Sequence, residues 1–346
     1  MSYISKQLIS WHKSYGRHNL PWQQTRDPYA IWVSEIMLQQ TQVTTVIKYY
    51  QKFMDNFPTV SALAEADEEK VMKLWAGLGY YARARNLYKS ATIVSNEYKG
   101  VLPSSMEKLI ALPGIGRSTA GAICAFSFGQ LKPILDGNVK RVLMRFYGIK
   151  DRLGNSKIEK NLWELAESNL PKFNIEIYTQ SLMDLGSTIC KRKNAECCAC
   201  PLTTNCQSNL NNWVDTIPLP KIKKIIPTKE IFTLIVENKK NILFFKKPPK
   251  GIWGGLWAFP EFDQLPSTQD WLSKNLQAKK YTVENKGEFT AKFTHFKLRV
   301  FYQHILLPST ILLPCPKELY WIPKIEINDG AMPAPIKKLI NKITFV

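Results

Sequence analysis

The chain has 346 residues, 45% of them apolar and 22% charged, an ordinary globular composition that argues against a disordered chain and allows two separate cores. It carries 47 Lys and Arg against 28 Asp and Glu, a formal net charge of +19. No run of 18 apolar residues exists and the N-terminus lacks a long apolar stretch, so neither a membrane span nor a signal peptide is expected.

The positive excess is spread out. Residues 1–220 hold 26 basic and 18 acidic groups, and residues 221–346 hold 21 and 10, so the halves are +8 and +11. Both would be drawn to a polyanion, with nucleic acid the first partner to consider; a generally basic, soluble surface is the other reading.

Residues 1 to 205 read as mostly helical. DPYAIWVSEIMLQQ opens with Asp27 as N-cap and Pro28 at the first helical position. Within it Glu35 stands among Ile31, Trp32, Ile36 and Leu38. A carboxylate there is costly if buried and charged, so it should be paired, exposed or protonated. Apolar surroundings raise a glutamate pKa, as a general acid at neutral pH requires. SSMEKLIAL predicts a capping box from Ser104 to Glu107.

LIALPGIGRSTAGA reads as helix, tight turn, helix, with the small-residue helix running from Arg117 to Phe128. Gly114 and Gly116 permit the turn and a close backbone approach. Amide groups opening the second helix then face outward, where they can hold a phosphate. An ordinary helical corner is the plainer alternative. Next comes ILDGNVKRVLMRFYG, in which Asp136 precedes a helix starting near Asn138. Aspartate is a preferred N-cap, so the residue has a structural reading as well as a catalytic one.

Five of the seven cysteines fall between Cys190 and Cys206. Cys190, Cys197, Cys200 and Cys206 could surround one metal centre, and Cys198 is an extra. Structural disulfides are rare in the cytosol, which favours a metal site over bridges. There is one CxxC rather than two, and no histidine nearby, so a [4Fe–4S] cluster suits the spacing at least as well as zinc. Lys191, Arg192 and Lys193 lie inside the loop and either contact phosphate or form a solvated run.

VDTIPLPKIKKIIPTKE, rich in Pro and Lys, reads as a linker. Strand-like runs follow: IFTLIVE, the turn NKKN, ILFFKK, and the long pair GEFTAKFTHFKLRVFYQHILL. A short helix, PIKKLINKI, closes an α+β region with a mainly antiparallel sheet.

LPGIGRSTA, ILDGNVKRV and the C-x6-C-x2-C-x5-C spacing, in this order, resemble the endonuclease III group of helix–hairpin–helix DNA glycosylases. SEIMLQQTQV (Ser34–Val43) and WAGLGYYARARNL (Trp75–Leu87) are similar to its adenine-specific branch. GIWGGLWAFPEF (Gly251–Phe262) and KFTHFKLRV (Lys292–Val300) resemble that branch's Nudix-like domain for 8-oxoguanine, so the likeness covers nearly the whole chain.

The resemblance implies a multidomain fold. An all-α catalytic region (1–213) would contain the helix–hairpin–helix (104–128) and an iron–sulfur loop (190–206). A linker (214–229) and an α+β Nudix-like domain (230–346) would follow. It implies a [4Fe–4S] cluster on Cys190, Cys197, Cys200 and Cys206, and catalysis by Glu35 and Asp136 with Asn138 and Ser118 in support. DNA contacts are implied at Gln40, Tyr81, Leu112, Gly114, Gly116, Lys140, Lys191 and Arg192, and lesion contacts at Gly255, Phe293, Thr294 and His295. Thr294 stands where the family has serine, which keeps the hydroxyl. The implied partner is duplex DNA with adenine opposite 8-oxoguanine or guanine, acted on by a monomer in a bacterial cytoplasm, with no membrane.

Ser118 occupies the position of the lysine that forms a Schiff base in the strand-cleaving branch, and a hydroxyl cannot form an imine. No glutamate-rich REXXEE motif lies between Phe262 and Glu288, so nucleotide hydrolysis on magnesium is not expected. Two other readings stand beside this one. Ser118 and the C-terminal domain count against a bifunctional glycosylase/lyase, and the two carboxylates count against a non-catalytic lesion binder.

Overall fold

The computed structural model describes residues 1–220, 226–248, 251, 253–293, 295–308 and 315–343. The chain forms two compact units, Met1–Ala66 with Arg85–Lys223, and Asp67–Ala84 with Lys224–Val346.

The first unit is helical. In chain order its helices are α1 (Tyr3–Tyr15), α2 (Pro28–Leu38), α3 (Val43–Asn56) and α4 (Val60–Ala64). After α5 (Glu68–Trp75), which belongs to the second unit, α6 (Ala82–Tyr98) runs from one unit into the other. Then come α7 (Met106–Ile110), α8 (Arg117–Phe128), α9 (Gly137–Tyr147), α10 (Ser156–Ser168), α11 (Ile175–Asp184) and α12 (Gln207–Leu210).

Asp27 caps α2 as expected, accepting from the Tyr29 and Ala30 amides with Pro28 behind it. Ile31, Trp32, Val33, Ile36 and Met37 are all buried, so α2 is an interior helix rather than an amphipathic one. The cap of α7 differs from the expected box by one residue. Ser105, not Ser104, accepts from the Lys108 amide, and its hydroxyl also bonds Glu107 at 2.7 Å. Two adjacent serines offer the same chemistry, and the register of buried Met106 and Leu109 selects the second.

The small residues of α8 have a packing cause. A side chain on Gly121 would begin 2.3 Å from the Pro133 carbonyl oxygen, so the strand of chain leading to Asp136 lies directly on the helix. The core joins α1, α8, α9 and α11 through Leu8, Ala125, Val142, Leu143, Tyr178 and Leu182. It fixes the start of α9, and with it Asp136.

In the second unit, β1 (Thr228–Glu237) and β2 (Asn241–Lys246) form the expected hairpin, as do β5 (Thr282–Lys292) and β6 (Lys297–Leu306). Between these hairpins lie β3 (Trp257–Ala258), β4 (Glu261–Phe262) and α13 (Thr268–Leu276), and β7 (Leu319–Pro323) and α14 (Ala334–Ile340) follow. The sheet order is β3-β2-β1-β6-β5, with β4 on β1 and β7 on β2. It is mainly antiparallel, as expected, and is made mixed by one pairing, β1 with β6, which run parallel from Thr228↔Lys297 to Glu237↔Leu306. Leu272 and Leu276 of α13 close its core over Leu234, Val236 and Ile305. No helix among the described residues is long and apolar enough to cross a membrane.

Candidate active site

Glu35 projects from α2 into the wall of a cavity of about 250 Å3 that Trp22, Arg26, Glu176 and Gln180 also line. Burial, with a further push from the charge of Asp136, raises its carboxyl to about 8. At neutral pH this carboxyl therefore holds its proton. Trp22, Arg26, Glu176 and Gln180 come from a short turn and from α11, far apart in sequence, and no local pattern marks them.

Asp136 caps α9. Its Oδ1 accepts from the Asn138 amide at 2.9 Å and the Val139 amide at 2.8 Å. Burial raises its pKa, while those amides and the nearby Arg141 and Lys140 favour the charged form. The N-cap and catalytic readings are thus compatible: one oxygen is spent on the helix and Oδ2 is left over. Ser118 accepts from the Leu135 amide at 3.0 Å, pinning the residue before Asp136. Asn138 receives Arg141 at 2.9 Å, and Arg141 also donates to the carbonyls of Gly186 and Cys190.

The four spaced cysteines line one small cavity together with Arg145. Cys198 is exposed and is not among the lining residues. Arg145 is 2% exposed; it donates to the carbonyls of Ile217, Lys191 and Arg192 and stands 3.4 Å from the Cys190 sulfur. Burial pushes the Cys200 thiol up to about 12, and the neighbouring thiolates of Cys190, Cys206 and Cys197 add to it. Four thiolates so placed are a donor set that calls for a cationic centre. Around one zinc ion they would stand roughly 3.8 Å apart, from a bond of about 2.3 Å. Among the described residues no three ligand side chains are drawn together around a single ion. The four thiols are a soft donor set of the kind that holds either zinc or an iron–sulfur group.

At the hairpin, Gly114 has φ +83°, and an added Cβ would lie 2.8 Å from Asn86 Cβ. Gly116 caps α8 without a side-chain bond, and nothing stands within 4 Å of its Cβ position. Leu112 is buried, so only its backbone is available to a ligand. Lys140 is paired with Glu159, and Lys191 with Glu196. Gln40 is exposed with φ +57°.

In the second unit, Tyr81 donates to the Met332 carbonyl at 3.5 Å. Its neighbour Tyr80 is 50% exposed with φ +49°, a feature that sequence reasoning missed. Phe293 stacks on Phe296 at 4.6 Å and meets Trp253 at 6.1 Å, which brings the β5–β6 turn to the Gly255 stretch. Gly255 has φ +74°, and His295 is exposed at the turn. Thr294 lies outside the described residues.

The model of the HhH-GPD superfamily of base excision DNA repair proteins matches residues 33–168, and a NUDIX domain model matches residues 231–342. An adenine DNA glycosylase of Buchnera aphidicola subsp. Baizongia pistaciae is 40% identical over 97% of this chain and 95% of its own. One from Buchnera aphidicola subsp. Acyrthosiphon pisum is 40% identical over 98% and 97%. The solved structure of a thermostable thymine-DNA glycosylase is 28% identical, with a TM-score of 0.53 over 60% of this chain and 95% of its own. The chain belongs to the adenine DNA glycosylase family.

Proposed function

We propose that the protein removes adenine mispaired with 8-oxoguanine or guanine in duplex DNA, by hydrolysing the N-glycosidic bond and leaving the strand intact. The observation that carries this is Glu35, a carboxyl in the wall of a 250 Å3 cavity that keeps its proton at neutral pH and feels the charge of Asp136.

The adenine must leave the stack to reach it. Glu35 gives its proton to N7, and the bond from N9 to the sugar breaks with its electron pair passing to the base. The sugar becomes an oxocarbenium-like cation that the Asp136 carboxylate stabilises through Oδ2, the two-carboxylate logic of glycoside hydrolysis. Water then attacks C1′ and returns its proton to Glu35. Trp22 offers a face for stacking, and Arg26 and Glu176 offer polar groups to the base edge. Ser118 and Asn138 hold the Asp136 turn in place.

Hairpin amides after Gly114 and Gly116 would grip phosphate, and Lys191 and Arg192 would lie along the backbone. Gln40 and a tyrosine would wedge into the stack; Tyr81 is the residue the resemblance points to, but its neighbour Tyr80 is the more exposed of the two. Gly255, Phe293, Thr294 and His295 would read the 8-oxoguanine strand. Cys190, Cys197, Cys200 and Cys206 would hold a [4Fe–4S] cluster, whose irons would accept the four thiolates and so fix the loop. The domain limits proposed are 1–213 and 230–346, with a monomer acting in the cytoplasm.

The test uses protein in excess over duplex with one 8-oxoguanine:adenine pair and a labelled adenine strand. Strand breakage only after alkali is expected. Breakage without alkali would mean lyase chemistry, and intact strand despite tight binding would mean a lesion binder.

A further inference from the structure

Glu69 lies on α5, inside the helical stretch of sequence, yet its side chain bonds to the C-terminal sheet. Its Oε2 accepts from Lys246 Nζ at 2.8 Å, and its Oε1 from Trp257 Nε1 at 3.1 Å. Lys246 on β2 and Trp257 on β3 are direct partners across the ladder, and the ammonium stands 5.5 Å from the indole centroid. Burial would raise the Glu69 carboxyl, but the bonds from Lys246 and Trp257 outweigh it and hold it below its ordinary value. Trp257 lies two residues beyond Gly255.

From the other end of α5 the contacts continue to Tyr80. Trp75, fully buried, donates its indole N–H to the Gly79 carbonyl at 3.3 Å. Arg83 donates to the carbonyls of Leu78 at 3.2 Å and Gly79 at 3.1 Å. Its guanidinium lies 5.4 Å from the Trp75 ring and 5.6 Å from the Tyr80 ring. Gly77 and Gly79 take positive φ freely, whereas Tyr80 at φ +49° is a non-glycine in the left-handed region, a conformation its surroundings hold.

We propose that Glu69 is a positioning residue that fastens the Tyr80 loop to β2 and β3, so that one unit both reads the lesion strand and presents the tyrosine to the stack. This rests on the mispair-specific reading above. A half-exposed ion pair adds little stability by itself. The two directional bonds to one carboxylate fix where α5 sits, so their loss should move the loop without unfolding the chain.

The experiment uses the full chain and its Glu69→Gln, Lys246→Met and Lys246→Arg variants. Affinity is measured for duplexes with 8-oxoguanine or guanine opposite a non-cleavable adenine analogue, and single-turnover release at saturating protein for the corresponding adenine duplexes. Glu69→Gln and Lys246→Met should lose about fivefold of the affinity preference for 8-oxoguanine, the size of one charge-assisted contact, with guanine:adenine turnover and melting unchanged. Lys246→Arg should keep the preference. Tyr80→Ala should weaken lesion binding less in the Glu69→Gln background than in the unaltered chain. Additive losses, or equal weakening of both duplexes, overturn the inference. An unaltered chain with no lesion preference overturns the functional reading and the inference together; a preference kept in every variant overturns the inference alone.

Discussion

A carboxyl kept protonated by its surroundings shows itself in two pH profiles. Glu35 has a folded pKa of about 8, above its ordinary value of 4.5. Its contribution to stability is complete below 4.5 and is lost as pH rises through 8, because the folded chain must then hold a buried charge. If Glu35 is the general acid, single-turnover adenine release should fall by one ionisation above about pH 8. Glu35→Gln should lower that rate about a hundredfold to ten-thousandfold, the usual range for a general acid, while melting no lower than the parent at pH 9. A variant that turns over normally would remove the residue from the chemistry. Glu35 was legible in the sequence because an acid among Ile31, Trp32 and Ile36 is an anomaly. Trp22, Arg26 and Glu176 were not, since each is unremarkable where it stands and only the tertiary fold assembles them.

At the level of elements, the two glycines of the hairpin have different duties. Gly114 has φ +83° and Asn86 against it, so Gly114→Ala should cost about 1–3 kcal/mol of stability. Gly116 has room for a methyl and an ordinary φ, so Gly116→Ala should cost under about 1 kcal/mol. If the amides there approach phosphate, this second variant should still weaken binding to every duplex alike. Thermal melting beside affinity for matched and mispaired duplexes checks both. Helix limits were well marked: Asp27, Pro28 and Asp136 act where the sequence put them, and α8 runs from Arg117 to Phe128 as expected. The cap of α7 missed by one residue because Ser104 and Ser105 are chemically interchangeable and packing decides between them. Tyr80 and Tyr81 raise the same difficulty, since a doublet does not say which ring faces outward.

For the molecule as a whole, the charge of +19 is shared by both ends of the chain. Phosphate contacts made with it carry no sequence information. Plots of log affinity against log salt for matched and mispaired duplexes should therefore fall as parallel lines, with the gap between them nearly unchanged. Converging lines would mean that lesion reading itself is largely electrostatic. Both hairpins of the sheet could be read from alternating runs and turn residues, whereas the parallel pairing of β1 with β6 could not, because strands so far apart leave no local signal. Nor did anything in the sequence say that Asp67–Ala84 leaves its neighbours for the second unit.

That excursion bears on how the chain is made. Glu69 meets Trp257 across 188 residues. At about 5–20 residues per second of synthesis, α5 emerges roughly ten to forty seconds before the indole that anchors it. A ribosome that has finished the helical region has therefore not finished its fold. Residues 224–346 cut out at the linker would lack Asp67–Ala84, and with it the carboxylate that Lys246 and Trp257 bond.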